Sequence, residues 1–140
     1  MEPTTATEIK PFDLETLDQT DTAVIQMVAP GTGDDIPGFT VEVYGQDSDV
    51  FKAETRKAEN KLTEYSRRNR GKYMPAEMRE ELDRQKVIKC TKAIKGLVYR
   101  GEVITDPERA YTLPKYGWIF EQVSTGIMER QNFINGSSAK

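Results

Sequence analysis

The chain of 140 residues has no histidine, one cysteine and one tryptophan. Each shortage removes a class of chemistry. Without histidine there is no Ser-His-Asp triad and no Cys-His pair. A lone Cys90 closes no intrachain disulfide, and the usual zinc sites need several Cys and His ligands. A single thiol inside an apolar pattern reads as a small core residue. No apolar run approaches the roughly 20 residues of a membrane-spanning helix. The opening MEPTTATEIK is acidic and polar, unlike a secretory signal. These absences set the expectation of a soluble protein without cofactor, metal site or histidine-dependent catalysis.

What the chain does have is charge. Charged residues make up 31% of it, hydrophobic residues 36%, and the mean hydropathy is -0.67. The length suits one domain with a modest core, and the polar ends read as loose. The net charge of -3 hides a segregation. Residues 1–50 hold eleven acids and one base, Lys10. Residues 51–100 hold fifteen bases and seven acids, and residues 101–140 are nearly balanced.

The patterning divides the chain into an acidic arm over 1–20, one domain over 21–134 and a flexible tail over 135–140. Phe12, Leu14 and Leu17 are the arm's few apolar residues, available for local docking. TAVIQMVAP is short and β-branched, and Pro30 and Gly31 stop it, so it predicts a strand. GTGDDIPG is a turn or loop. FTVEVYG alternates, with Phe39, Val41 and Val43 on one face and Thr40, Glu42 and Tyr44 on the other. The two strands form an antiparallel hairpin whose apolar face needs a cover. The next segment is the candidate for that cover. Asp47 or Ser48 caps a helix carrying the stripe Phe51, Thr55, Ala58, Leu62 and Tyr65, ended by SRRNRG. A second helix starts near Pro75 and presents Met78, Leu82, Val87, Cys90, Ile94 and Leu97, ending at Gly96 or Gly101. TDPERAYTL is a short third helix between a Thr105 or Asp106 cap and Pro114. The last helix runs through WIFEQVSTGIMERQNFI with Ile119, Val123 and Ile127 as its buried stripe, and Gly126 permits close packing. The expected fold is α+β: an N-terminal antiparallel β-hairpin packed against about four helices, with disordered termini.

Few constellations suggest a site. The pair Asp34–Asp35 reads as a solvated turn. GTG at 31–33 lacks the Lys and Ser/Thr of a phosphate loop. RRNRGKY, with Arg67, Arg68, Arg70, Lys72 and Tyr73, is a basic cluster with an aromatic, as in nucleic-acid sites. The sequence pI of about 5.2 argues against that reading. Trp118 at the head of the last helix reads as a core anchor.

WIFEQVSTGIMERQNFI and VEVYGQDSDVFKAETRK together resemble the tail assembly chaperones of long-tailed bacteriophages and prophages. The resemblance covers roughly residues 38–134. It rests on Gly45, Asp47 and Ser48; on Gly101 and Glu102; on the segment 105–110; and on Trp118, Ile119, Glu121, Gln122, Val123, Arg130, Asn132 and Phe133. It implies a non-enzymatic, non-virion protein in the cytoplasm of the bacterial host. Such a protein binds the tape-measure protein, keeps its long apolar helices soluble and helps recruit tail-tube subunits, in some cases through a frameshift-extended form. Residues outside the core stripes are the candidate partner surface: Tyr44, Tyr65, Arg67, Arg68 and Tyr73. A small structural tail-completion or head–tail joining protein is the alternative. A nucleic-acid-binding regulator is a third reading.

Overall fold

The computed structural model describes residues 10–134. Of the flexible arm expected over 1–20 and the flexible tail expected over 135–140, residues 1–9 and the whole tail lie outside them, and the rest of the arm holds a 3-10 turn over Leu14–Leu17. The fold is α+β. Strand β1 (Thr22–Val28) pairs antiparallel with β2 (Asp35–Tyr44), the hairpin expected of a β-branched run followed by an alternating one. In register, Ile25 faces Val41 and Ala23 faces Val43. Phe39, Val41 and Val43 are buried, while Thr40, Glu42 and Tyr44 on the other face are half-buried. The pairing shifts between Gln26 and Val28. There the Gln26 side-chain amide donates to the Ile36 carbonyl at 2.7 Å, so the irregular stretch keeps its polar groups paired.

Helix α1 (Asp49–Arg68) follows the tight turn after β2. Ser48 caps it, its hydroxyl oxygen accepting from Phe51 N–H at 3.1 Å. Its far end closes with Arg70 at φ 57° and Gly71 N–H donating to the Ser66 carbonyl at 2.8 Å, a Schellman-type stop. Helix α2 (Ala76–Cys90) returns toward the sheet.

Here the sequence expectation is overturned. The second helix does not reach Gly96. It ends at Cys90, and Thr91–Lys95 form strand β3 on the free edge of β2, giving the order β1-β2-β3. Ile94 faces Val41 and Ala93 faces Glu42. The spacing Val87, Cys90, Ile94 fits a helix, yet Ile94 flanked by Ala93 and Lys95 also fits a strand. The open ladder of β2 decides between them, because an exposed row of N–H and C=O groups is satisfied by a third strand. Thr91 marks the switch, its hydroxyl donating back to the Val87 carbonyl at 2.8 Å. Gly96 then turns at φ 79° against the Gly38 backbone, where a Cβ would collide. A two-residue turn, Arg100 and Gly101 at φ 52° and 80°, joins β4 (Val98–Tyr99) to β5 (Glu102–Val103).

Helix α3 (Pro107–Tyr111) is capped by Asp106. Helix α4 (Gly117–Met128) buries Ile119, Val123, Gly126 and Ile127. It lies on the sheet, where Gly126 meets Ile25 so closely that a Cβ would collide with that side chain. A second correction follows. The cover of the hairpin's apolar face is α4 with the end of α2, not α1, which has no buried residue and packs chiefly on α2. The last helix also stops six residues short of the expected Ile134, and Arg130–Phe133 form a 3-10 turn. Side chains from elsewhere take its final carbonyls. Asn132 Nδ2 donates to Gly126 O at 3.0 Å, and Gln46 donates through its backbone to Ile127 O at 3.2 Å and through Nε2 to Met128 O at 2.7 Å.

That 3-10 turn brings Phe133 onto Gly45. An added Cβ at Gly45 would lie 2.9 Å from the Phe133 ring, which is 1% exposed. A buried ring has nowhere to move, so Gly45→Ala overpacks the contact. We expect a loss of about 1–3 kcal/mol in urea unfolding. The loss should shrink in a Phe133→Leu background, and a double-mutant cycle measures that coupling. A Gly45→Ala loss unchanged by Phe133→Leu would place the strain elsewhere.

Candidate functional site

Helices α1 and α2 form a hairpin longer than the core beneath it. Twenty residues of α1 span about 30 Å. At the sheet end, Val50 and Phe51 of α1 and Val87 and Cys90 of α2 join or pack on the main core. Toward the tip, Tyr65, Met74, Met78 and Leu82 lie outside that core altogether. Between the two helices near the tip is an open groove of about 690 Å³, lined by these four residues and rimmed by Asn60, Lys61, Glu64, Arg68 and Glu81. Its volume falls within the roughly 300–1,000 Å³ of ligand-holding clefts.

The groove is apolar at its floor and charged at its rim. Met74 is buried in the connection, and its carbonyl accepts from Arg79 Nε at 3.2 Å. Arg67 and Arg68 both donate to the Glu64 carboxylate, each at 2.6 Å. Those two hydrogen bonds, Arg67's first, hold the Glu64 carboxyl below its usual range. On the other wall, Glu81 pairs with Arg84 at 3.0 Å.

The candidate surface residues divide accordingly. Tyr65 and Arg68 line the groove, and Arg67 is tied to its rim through Glu64. Tyr73 stands beside Met74 in the connection and is 94% exposed. Tyr44 is elsewhere. It sits on the outer face of the sheet, opposite Thr22, half-buried and packed on the core. Sequence reasoning missed Met74, Met78 and Leu82 as site residues, since Met78 and Leu82 fell into a helical stripe and were assigned to the core. One signal was available. Both stripes continue into the tip, Leu62 and Tyr65 on one helix and Met78 and Leu82 on the other, where only the partner helix can cover them.

The residues that carry the family resemblance lie apart from this groove. Arg130 donates to both Asp47 carboxylate oxygens, at 2.6 and 3.2 Å, and this pairing is the main reason the Asp47 carboxyl is held low. Gln122 pairs with Val28 as a strand would: Val28 N–H donates to Oε1 at 3.1 Å, and Nε2 donates to Val28 O at 2.8 Å. Trp118 is half-buried against the core. These residues hold the fold.

Among the described residues, no helix is long and apolar enough to cross a membrane, and no three His, Cys, Asp or Glu side chains gather as a metal-ligand set. A smaller notch of about 250 Å³ opens between the sheet ends of the helices, where Lys86 Nζ lies 4.9 Å from the Phe51 ring centre. The chain matches no protein-family model, no curated protein and no solved structure.

Cys90 is fully buried. Burial first, and then the Glu54 carboxylate, push its thiol from 9.0 up to about 11. Burial likewise pushes Tyr111 from 10.0 to about 12, against the opposing hydrogen bond with Thr91. Both groups release their protons later in the folded chain than in the unfolded one. The contribution of Cys90 to stability is therefore complete below pH 9 and is lost as pH rises through about 11, and that of Tyr111 is complete below pH 10 and is lost as pH rises through about 12. We expect unfolding free energy to fall over that range, and Cys90→Ala to flatten part of the fall. We also expect native Cys90 to resist thiol reagents at neutral pH and to react once unfolded.

Proposed function

We propose that this protein is a phage tail assembly chaperone, a non-enzymatic protein that binds an apolar helical segment of the tape-measure protein and assists tail-tube assembly. The observation that carries the reading is the α1–α2 groove. Its floor of Tyr65, Met78 and Leu82, laid over the buried Met74, is apolar, and its rim is charged. An amphipathic helix binds such a groove through its apolar stripe, with its polar flanks against the rim. Methionine suits a surface that must accept many similar sequences, since its unbranched side chain repacks. A long tape-measure helix presents many similar apolar segments in succession. The resemblance over residues 38–134 suggests the partner, and the groove's apolar floor and charged rim support the reading. The host cytoplasm is where such a chaperone would act.

Co-expression tests the proposal. With this chain present, the soluble fraction of the cognate tape-measure protein should rise several-fold, without added nucleotide, and the two should co-purify. Neither a gain in solubility nor a complex would end the proposal. Tyr65→Ala with Met78→Asp should remove most of the gain while leaving the main core intact. A complex that survives this change, and also survives joint substitution of Arg67, Arg68 and Tyr73, would keep the function and move the site.

A further inference from the structure

We propose that the acidic arm of one copy, residues 12–18, docks in the α1–α2 groove of a second copy. Three observations meet here. First, the arm presents unburied apolar side chains: Phe12 is 66% exposed, Leu14 75% and Leu17 49%, on and beside a 3-10 turn over Leu14–Leu17. Three large apolar residues so close together in solvent mark a contact surface rather than a chance scatter. Second, the charges match. Residues 12–18 carry Asp13, Glu15 and Asp18 and no cation. Residues 61–82, which form both walls of the groove and the connection between them, carry six cations and four carboxylates, and the two carboxylates on the rim, Glu64 and Glu81, are already held by arginines. Acids beside an apolar strip suit an apolar floor with Lys61 and Arg68 on its rim.

The third observation is reach. The arm leaves the domain at Thr20, whose N–H donates to Phe133 O at 2.6 Å. Asp21 O accepts from Gly45 N–H at 3.1 Å, which places this anchor beside the start of α1. Tyr65 lies about 25 Å further along α1 than Ser48. Leu17, three residues from Thr20, extends at most about 11 Å. The arm therefore cannot lay its apolar strip along the groove of its own chain, and a second copy can receive it. Two copies can exchange arms reciprocally about a two-fold axis, or each arm can dock on the next copy so that further copies add. It stands independently of the chaperone reading. If that reading holds, the arm shields the groove until a tape-measure helix displaces it.

Sedimentation velocity over a concentration series reads the contact directly. The full chain should self-associate, more weakly as salt rises. Leu14→Asp with Leu17→Asp alters only exposed residues, so melting should be unchanged while association weakens at least tenfold. Met78→Asp should do the same from the groove side. If that variant does not fold, Lys61→Glu with Arg68→Glu on the exposed rim replaces it. Mixing the arm variant with the groove variant should restore one intact contact and stop at a dimer. A labelled peptide of residues 10–21 should bind the wild-type chain and not the groove variant. A wild-type chain that stays monomeric, association indifferent to the arm variant, a mixture that stays monomeric, or a peptide that fails to bind would each overturn the proposal. None of these outcomes touches the solubility result on which the chaperone reading depends.

Discussion

The packing of Phe133 on Gly45 is the contact around which the domain closes. It joins the turn after β2 to the segment after α4, two regions far apart in sequence. Gly45 has no side chain, so the ring can lie against the backbone at the point where the chain leaves the sheet and enters α1. The neighbours then fall into bonding range. Gln46 reaches the last carbonyls of α4, Asp47 pairs with Arg130, and Ser48 caps α1 while donating to Gly45 O at 2.7 Å. The arm's root is tied to the same place through Thr20 and Phe133. The two motifs that look separate in sequence are the halves of one clamp. This gives a physical reason for their residue types. A glycine is needed for closeness, a capping hydroxyl for the helix start, and a carboxylate and a guanidinium for a two-pronged pair.

The clamp also divides the molecule by task. On its side, sheet, α4 and the end of α2 bury a continuous core, with Met27, Val41, Val43, Val123 and Ile127 essentially out of water. Beyond it, α1 and α2 extend as a hairpin whose apolar residues have only each other. A helix pair in that position covers part of its stripes and leaves the rest as a groove. The first region is closed, and its one thiol is buried and hard to ionise. The second is open, apolar and charged at the rim, which is what binding another chain requires. The two hairpin helices hold ten of the twenty bases but also eight acids, so the positive excess of residues 51–100 comes mainly from Arg70, Lys72, Lys92, Lys95 and Arg100 in the segments beside them.

Much of this was determined locally and is legible in the sequence. The first strand follows from a short β-branched run stopped by Pro30 and Gly31, the second from strict alternation, and the start of α1 from Ser48, whose hydroxyl can act only on the next few N–H groups. Asp106 with Pro107 opens α3 for the same short-range reason. The buried stripe Ile119, Val123 and Ile127 follows from a spacing that only a helix brings onto one face. The tertiary structure alone decided what depends on partners distant in sequence. Thr91–Lys95 became a strand because the edge of β2 needed one. The last helix stopped at Met128 because Gln46 and Asn132 took its carbonyls. Met78 and Leu82 became groove rather than core because the hairpin outreaches the sheet. A residue's periodicity specifies which face it shares, while what lies opposite that face is set by how the whole chain packs.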